Sequence, residues 1–405
     1  MYIETKTINQ NNLNKRIKQK SFSLHFLPEC LNDLVKRKHI EFSNQKLKVD
    51  YLVDIVHNLL LKYYFKKENK FALNATILKS KYGYLYNYYI SFLIENDIIR
   101  LHTNYKKGKT SRIYSLNETI FSQKIQRYRN YDKVLLKKYK GKFIEMTSDD
   151  SEISIIDSTV REKLVSDLFS VKIEYDRAIF FLDLLKNEDI DIYNRNIYSV
   201  ECINDSHIFY HFDSYGRMHT NYTILKSFIR KNCLLIDGLE TCELDIPNSQ
   251  PLFLVKLINI SNFGNIDQEE FELFKKLTID GNFYQYFMSM IGVTNKKLVK
   301  EMTYKVFFGR NIASSKADKF FKSLFPTIYD FIKRYKKEHG DYRVLAYDLQ
   351  RAESSLIFNK IIYKVMNYYP EIKMITIHDS IVVPKIYREE VNIIFENELK
   401  KEFNI

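Results

Sequence analysis

Four short segments in the second half of the chain carry residue types whose spacing suits metal and phosphate chemistry. The first is Ile375-Thr376-Ile377-His378-Asp379-Ser380-Ile381-Val382-Val383. Two apolar runs of β-forming residues flank a polar triplet, so a tight hairpin is expected to hold Asp379 at its tip. The second is Leu244-Asp245-Ile246-Pro247-Asn248-Ser249-Gln250-Pro251, which places Asp245 just after a short apolar strand that follows a turn at Asp237-Gly238. Two aspartates on adjacent strand ends can bind two divalent ions, which would activate an attacking 3′-oxygen and stabilise a departing pyrophosphate. Either aspartate alone reads as a turn or cap residue. The third runs from Lys296 through Lys300 and Tyr304 to Phe308-Gly309. Lys296, Lys300 and Tyr304 stand four apart, so they line one helix face, with Thr294 or Asn295 as the cap. Lysines near a helix start suit a triphosphate, and an aromatic further along can stack on a base. The fourth is Asp213-Ser214-Tyr215-Gly216-Arg217-Met218-His219-Thr220, a turn from which an arginine emerges.

The elements that must position these residues belong to a chain of 405 residues, of which 45% are hydrophobic, enough for packed cores and two to three domains. No run approaches a membrane-spanning length, and the N-terminus lacks the apolar core of a secretory signal. Cys30, Cys202, Cys233 and Cys242 are scattered without a CxxC pair, so a disulfide or zinc framework is not expected and a reducing cytoplasm is. Charge is uneven. Residues 1–150 hold 29 basic and 14 acidic side chains, a net of +15, whereas residues 151–405 hold 34 and 36. Such asymmetry suggests a polyanion-binding module joined to a part with another task.

In the basic half, apolar periodicity predicts helices over Leu52–Phe65, Ala75–Lys79 and Tyr84–Asn96, the last with Leu85, Tyr89, Phe92 and Leu93 inward. Strand-like runs at 98–102 and 111–116 flank a Lys-rich tip around Gly108. Three helices followed by a basic hairpin resemble a winged helix-turn-helix over Leu73–Leu116. The resemblance implies a helix seated in a DNA groove, with Lys106, Lys107, Lys109 and Arg112 meeting phosphates. Residues 101–142 contain twelve basic and two acidic side chains, Arg127, Arg129, Lys133, Lys137, Lys138, Lys140 and Lys142 among them. Their clustering favours phosphate binding over a merely solvated face. The acidic, polar stretch 143–157 reads as a domain boundary. Asp150-Ser151-Glu152 reads as linker and not as a proofreading carboxylate pair.

Taken together, the four segments resemble the family A DNA polymerases and the related single-subunit phage-type RNA polymerases, over Asp213–Val383. The resemblance implies that Asp245 (motif A), with Ile246 beside it, and Asp379 (motif C) bind two Mg²⁺ ions, with Mn²⁺ as an alternative. It assigns Lys296, Lys300, Tyr304, Phe308 and Gln250 to the nucleotide, and Arg217, Gln350 and His378 to the primer–template. Leu349-Gln350-Arg351-Ala352-Glu353-Ser354-Ser355 looks like the Q-G-x-A-A-D helix that precedes motif C. Three departures stand out. The gating Glu of motif A is replaced by Gln250 or, with a gap, Leu252. Phe308 stands where Tyr precedes Gly, and Ser380 follows Asp379 as in the phage RNA polymerases.

The expectation is therefore an α+β chain. Residues 1–50 would be an extension, 51–120 a winged helix, and 121–157 a basic-then-acidic linker. Residues 158–405 would be a compact right-hand polymerase with thumb 158–204, palm 205–260 and 340–405, and fingers 283–335. It would extend a primer with dNTPs for a mobile element or phage, without a proofreading exonuclease. Its partners would be DNA primer–template, duplex DNA and nucleoside triphosphates, with no membrane. The alternatives are a phage-type RNA polymerase and a non-catalytic DNA-binding replication initiator.

Overall fold

The computed structural model describes residues 20–37, 47–103, 111–148, 155–186, 189–261, 266–311 and 315–404 of an α+β chain. It divides into two compact units, each assembled from non-contiguous pieces. One comprises Met1–Asp150, Leu168–Tyr210 and Thr220–Glu240; the other comprises Ser151–Asp167, His211–His219 and Thr241–Ile405. The expected break near residue 150 is present, but it is only one of several crossings. The expected thumb is not a contiguous piece: helices Tyr175–Lys186 and Ile190–Asn204 belong to the first unit, and most of helix Ser158–Leu168 to the second. The expected first palm piece is likewise split, because 220–240 lies in the first unit. No helix among the described residues is long and apolar enough to cross a membrane.

The first unit opens with strand Ser23–Pro28, whose six residues are all buried and pair antiparallel with Ile125–Asn130. Two expectations are corrected here. Residues 1–50 include a core strand and are not a mere extension. Residues 121–157 are not a linker, because they supply that partner strand and helix Lys133–Ser148. Between them run helix Val49–Lys66, strand Lys70–Ala72, helices Ala75–Tyr82 and Tyr86–Glu95, and strands Ile99–Thr103 and Ile113–Leu116. The three strands form one sheet with Ile113–Leu116 in the middle. The Asn74 side chain caps helix Ala75–Tyr82, accepting from Thr76 N at 2.8 Å, and Gly83 ends it at φ 79°. Tyr89, Phe92 and Leu93 face inward as expected, whereas Leu85 is exposed. The Lys-rich tip lies outside the described residues. Asp54, buried in helix Val49–Lys66, accepts from His25 Nε2 at 2.8 Å and Tyr82 Oη at 2.5 Å, and pairs with Lys81 at 2.6 Å. Burial opposes ionisation, but His25 and Lys81 hold this carboxyl well below its usual range.

Strands Val171–Ile173 and Leu234–Ile236 pair within the same unit, and Leu234–Ile236 turns back into strand Leu239–Asp245. The two-residue turn is Asp237-Gly238, with φ of 51° and 82°, the conformation that makes Asp-Gly a preferred hairpin turn.

In the second unit the end of that strand, Thr241–Asp245, pairs antiparallel with Ser380–Pro384, which also pairs with Ile375–Ile377. Helix Ser158–Leu168 braces this sheet. Its buried Lys163 donates to the Ile372 carbonyl at 2.9 Å, and its buried Asp167 accepts from Met374 N at 3.0 Å. A helical array follows Asp245: Ser249–Ile260, Gln268–Ile279, Phe283–Ile291, Lys296–Phe308, Lys316–Leu324 and Pro326–Glu338. Its core is aromatic, with Phe274, Phe283, Phe287, Phe321 and Phe325 all fully buried and in ring contact. Helix Val344–Ser354 continues through a wider π-helical stretch, Ser355–Ile362, before the His378 hairpin, and helix Arg388–Phe403 closes the unit.

Candidate active site

Asp245 is the last residue of its strand and lies directly across from Ser380, so Asp379 is one residue further along, in the turn that leads into the neighbouring strand. Asp379 sits in a two-residue turn between the paired Ile377 and Ser380, with His378 at φ 56°. The Ser380 hydroxyl donates to the Ile377 carbonyl at 2.9 Å and closes the hairpin. Flanking Leu244, Ile246, Ile377 and Ser380 are buried, whereas Asp245 and His378 are exposed and Asp379 is half-buried. The alternation of a strand thus puts apolar anchors in the core and both carboxylates at the rim.

Helix Lys296–Phe308 has the bounds its sequence predicts, and Asn295 caps it, accepting from Leu298 N at 3.2 Å. Val299, Thr303, Val306 and Phe307 are buried, while Lys296 and Lys300 are exposed and Tyr304 and Phe308 half-buried. The Tyr304 and Phe308 rings lie 5.2 Å apart, and Lys300 Nζ stands 5.6 Å from the Tyr304 ring. Gly309 follows for a steric reason: a Cβ there would meet the Lys305 carbonyl oxygen at 2.2 Å. Buried Lys336 anchors this end, donating to the carbonyls of Val306 at 2.7 Å and Gly309 at 2.9 Å.

Tyr284 packs beside this helix. It is 3% exposed and has Lys296 Nζ 5.9 Å from its ring. Its hydroxyl is pushed well above the ordinary tyrosine range by burial, then by Tyr304, then by the charge of Asp379. No signal in the sequence singled out Tyr284.

Arg217 emerges from a turn built by Asp213, whose carboxylate accepts from the backbone N of Tyr215 and Arg217, both at 2.9 Å. Gly216 is required in this turn: its φ is 84°, and a Cβ would meet Ile155 at 2.7 Å and Ser354 at 3.2 Å. Arg217, expected at the primer–template, has a partner within the protein. It forms an ion pair with Glu353, which is 1% exposed, and donates to it from Nε at 3.1 Å and from a terminal nitrogen. Gln250, expected at the nucleotide, is also buried. Its Nε2 donates to Glu353 at 2.6 Å, and its Oε1 has no hydrogen-bond partner. Leu252, the other reading of the gate position, is 5% exposed. Gln350 is half-buried on the same helix as Glu353. His219 bonds Asp213 at 2.9 Å and meets His378 edge to face at 6.4 Å between ring centroids.

The donor set fits a hard divalent cation. Asp245 and Asp379 offer oxygen ligands, and Ile246 a backbone carbonyl beside them. Among the described residues no group of three or more His, Cys, Asp or Glu gathers as a metal cage. Two carboxylates, with water and phosphate completing the shell, is the arrangement magnesium favours at nucleotide sites.

The basic candidates of the first unit fare differently. Arg112 is exposed. Lys106, Lys107 and Lys109 lie outside the described residues, as does Asp150-Ser151-Glu152. Arg127 and Arg129, expected at phosphates, sit on strand Ile125–Asn130 and pair with Glu201 at 2.8 Å and Asp205 at 3.1 Å. Lys138 donates to the carbonyls of Ser80 and Lys81. Comparison with protein-family models and with curated proteins finds no match for this chain.

Proposed function

We propose that the chain is a template-directed nucleotidyltransferase, a compact right-hand polymerase resembling family A DNA polymerases, coupled to a winged-helix module that binds duplex DNA. The observation that carries the reading is the placement of Asp245 at the end of one strand and Asp379 in the turn beside its partner strand. The Lys296–Phe308 helix belongs to the same unit and presents Lys296 and Lys300 on an exposed face. Asp245, Asp379 and the Ile246 carbonyl would hold two Mg²⁺ ions. Bound there, the ions would activate the 3′-oxygen of a primer and stabilise the departing pyrophosphate. Lys296 and Lys300 bind the triphosphate from the exposed face of their helix, and Tyr304 with Phe308 packs on the base. The first unit supports a nucleic-acid partner by its charge. Counted over its three pieces it holds 36 basic and 24 acidic side chains, a net of +12, against 27 and 26 in the second unit. Its helix–strand–helix–helix–strand–strand order, with the last strand in the middle of the sheet, supports the winged-helix assignment.

A primer-extension assay on a mixed-sequence template tests the reading, with dNTPs and rNTPs in separate arms and Mg²⁺ present. Extension ordered by the template supports it. Extension only with rNTPs turns it into an RNA polymerase. DNA binding with no extension in any arm replaces it with a replication initiator.

A further inference from the structure

Glu353 has no role in the sequence-based expectations, yet it joins two of the four chemistry-bearing segments. Its carboxylate accepts from Arg217, Ser249 and Gln250. Ser249 and Gln250 open the helix that follows Asp245, and Arg217 belongs to the turn whose His219 meets His378, the neighbour of Asp379. Resting on the polymerase reading above, we propose that Glu353 is a positioning residue for the paired aspartates. One buried carboxylate fixes the approach to both of them and keeps a negative charge beside the cation site.

Two arguments carry this. The first is cost. An ion pair this buried contributes little net stability, because desolvating the charges offsets their attraction. Apolar side chains of similar volume would hold the two segments to this helix as well. What an apolar replacement cannot do is orient an arginine, a hydroxyl and an amide toward one point. The second is electrostatic. Burial raises the Glu353 pKa first; Arg217 then opposes the rise, and the charge of Asp379 adds to it. That interaction is mutual, so the Glu353 charge also favours a cation at Asp379. Arg217 cancels it only while the pair is intact.

Glu353→Gln leaves Arg217 without its counter-ion and removes one negative charge from the site. Glu353→Gln combined with Arg217→Met removes both charges together, so the net charge near the aspartates returns to its original value. The double variant also avoids a buried unpaired arginine, and it decides the matter if the single variant fails to fold. The experiment uses the full chain with Mn²⁺ as the probe. Binding is followed by the loss of the free-ion EPR signal without nucleic acid, and single-turnover dNTP insertion is measured separately. In the wild type, binding that disappears in Asp245→Asn locates the ion. The single variant is expected to weaken Mn²⁺ binding about three- to tenfold. The double variant is expected to bind Mn²⁺ as the wild type does but to insert at least about tenfold more slowly, since an uncharged amide without Arg217 holds Ser249 and Gln250 less firmly than the carboxylate does. Partial recovery of the rate in Glu353→Asp supports the same conclusion. Binding and insertion within twofold of wild type in both the single and the double variant would overturn the role of Glu353 and leave the polymerase reading standing. A wild-type chain that binds no Mn²⁺ through Asp245 would overturn that reading and this proposal with it.

Discussion

Two sets of charged residues, one in each unit, are held in different ways. In the first, Arg127 and Arg129 are matched by Glu201 and Asp205, Lys48 by Asp132 at 2.6 Å, and His25 with Lys81 by Asp54. These groups join strands to helices. In the second, Asp245, His378, Lys296 and Lys300 are exposed around one strand end and one helix face, and buried neighbours fix their backbone. Charge density alone therefore does not mark a site. Arg217 shows this within the second unit, where an arginine expected at a ligand instead neutralises a buried glutamate. The informative pattern is an exposed charge on a rigid, well-packed element.

The sharpest way to break this contrast is at the aspartates. Asp245→Asn and Asp379→Asn should each lower the insertion rate by a factor of about a thousand or more, with DNA affinity little changed. Single-turnover kinetics and a binding isotherm check both parts. A variant that retains near-wild-type insertion would show that these carboxylates are only hairpin residues.

Next in size is the scaffold. Phe325→Ala empties the centre of the aromatic core behind the Lys296 helix and should cost about 3–5 kcal/mol. Chemical denaturation would show two transitions if the units unfold separately, with the loss confined to one of them. A loss below about 1 kcal/mol would mean that this core is not what holds the helix.

Lys336 gives a smaller, pH-dependent effect. Burial, and after it the charge of Lys333, lowers its pKa to about 7 against the opposing charge of Asp318. Between that value and the ordinary lysine range the unfolded chain holds a proton that the folded chain lacks, so stability rises with pH. Relative to Lys336→Met, the wild type should gain up to about 1.4 kcal/mol per pH unit between roughly pH 7.5 and 9.5. Parallel stability curves for the two proteins would show that the two carbonyl hydrogen bonds keep this ammonium charged.

How much of this was legible in the sequence depends on the range of the interactions. Helix Lys296–Phe308 follows from a four-residue period and an adjacent cap, and the His378-Asp379 hairpin from two short apolar runs. Both are local patterns. Strand Lys70–Ala72 is three residues long, too short for any period to register. Pairing of Ser23–Pro28 with Ile125–Asn130 joins segments a hundred residues apart. The partners of Arg127 and Arg129 lie beyond residue 200, on the far side of the break near residue 150. Glu353 was visible as a helix residue, but nothing local says that two distant segments will converge on it. Long-range electrostatics decided which candidates became ligands of one another.

The finest test of the contrast compares two arginines of the first unit. Arg112 is exposed just before the strand that leaves the basic tip, and Arg129 is exposed too but paired with Asp205. If phosphate contacts come from charges that the protein does not itself match, Arg112→Ala should weaken duplex binding across all sequences and reduce the slope of log affinity against log salt by about one. Arg129→Ala should leave that slope unchanged, because its charge is already matched by a carboxylate. Its cost should appear in folding stability instead, at no more than about 1 kcal/mol for a pair this open to solvent. Titrations at several salt concentrations, with a melting curve for each variant, separate the two effects. If Arg129→Ala were the variant that reduced the slope, the pair with Asp205 would have to open on DNA, and the division between structural and ligand-facing charge in this unit would not hold.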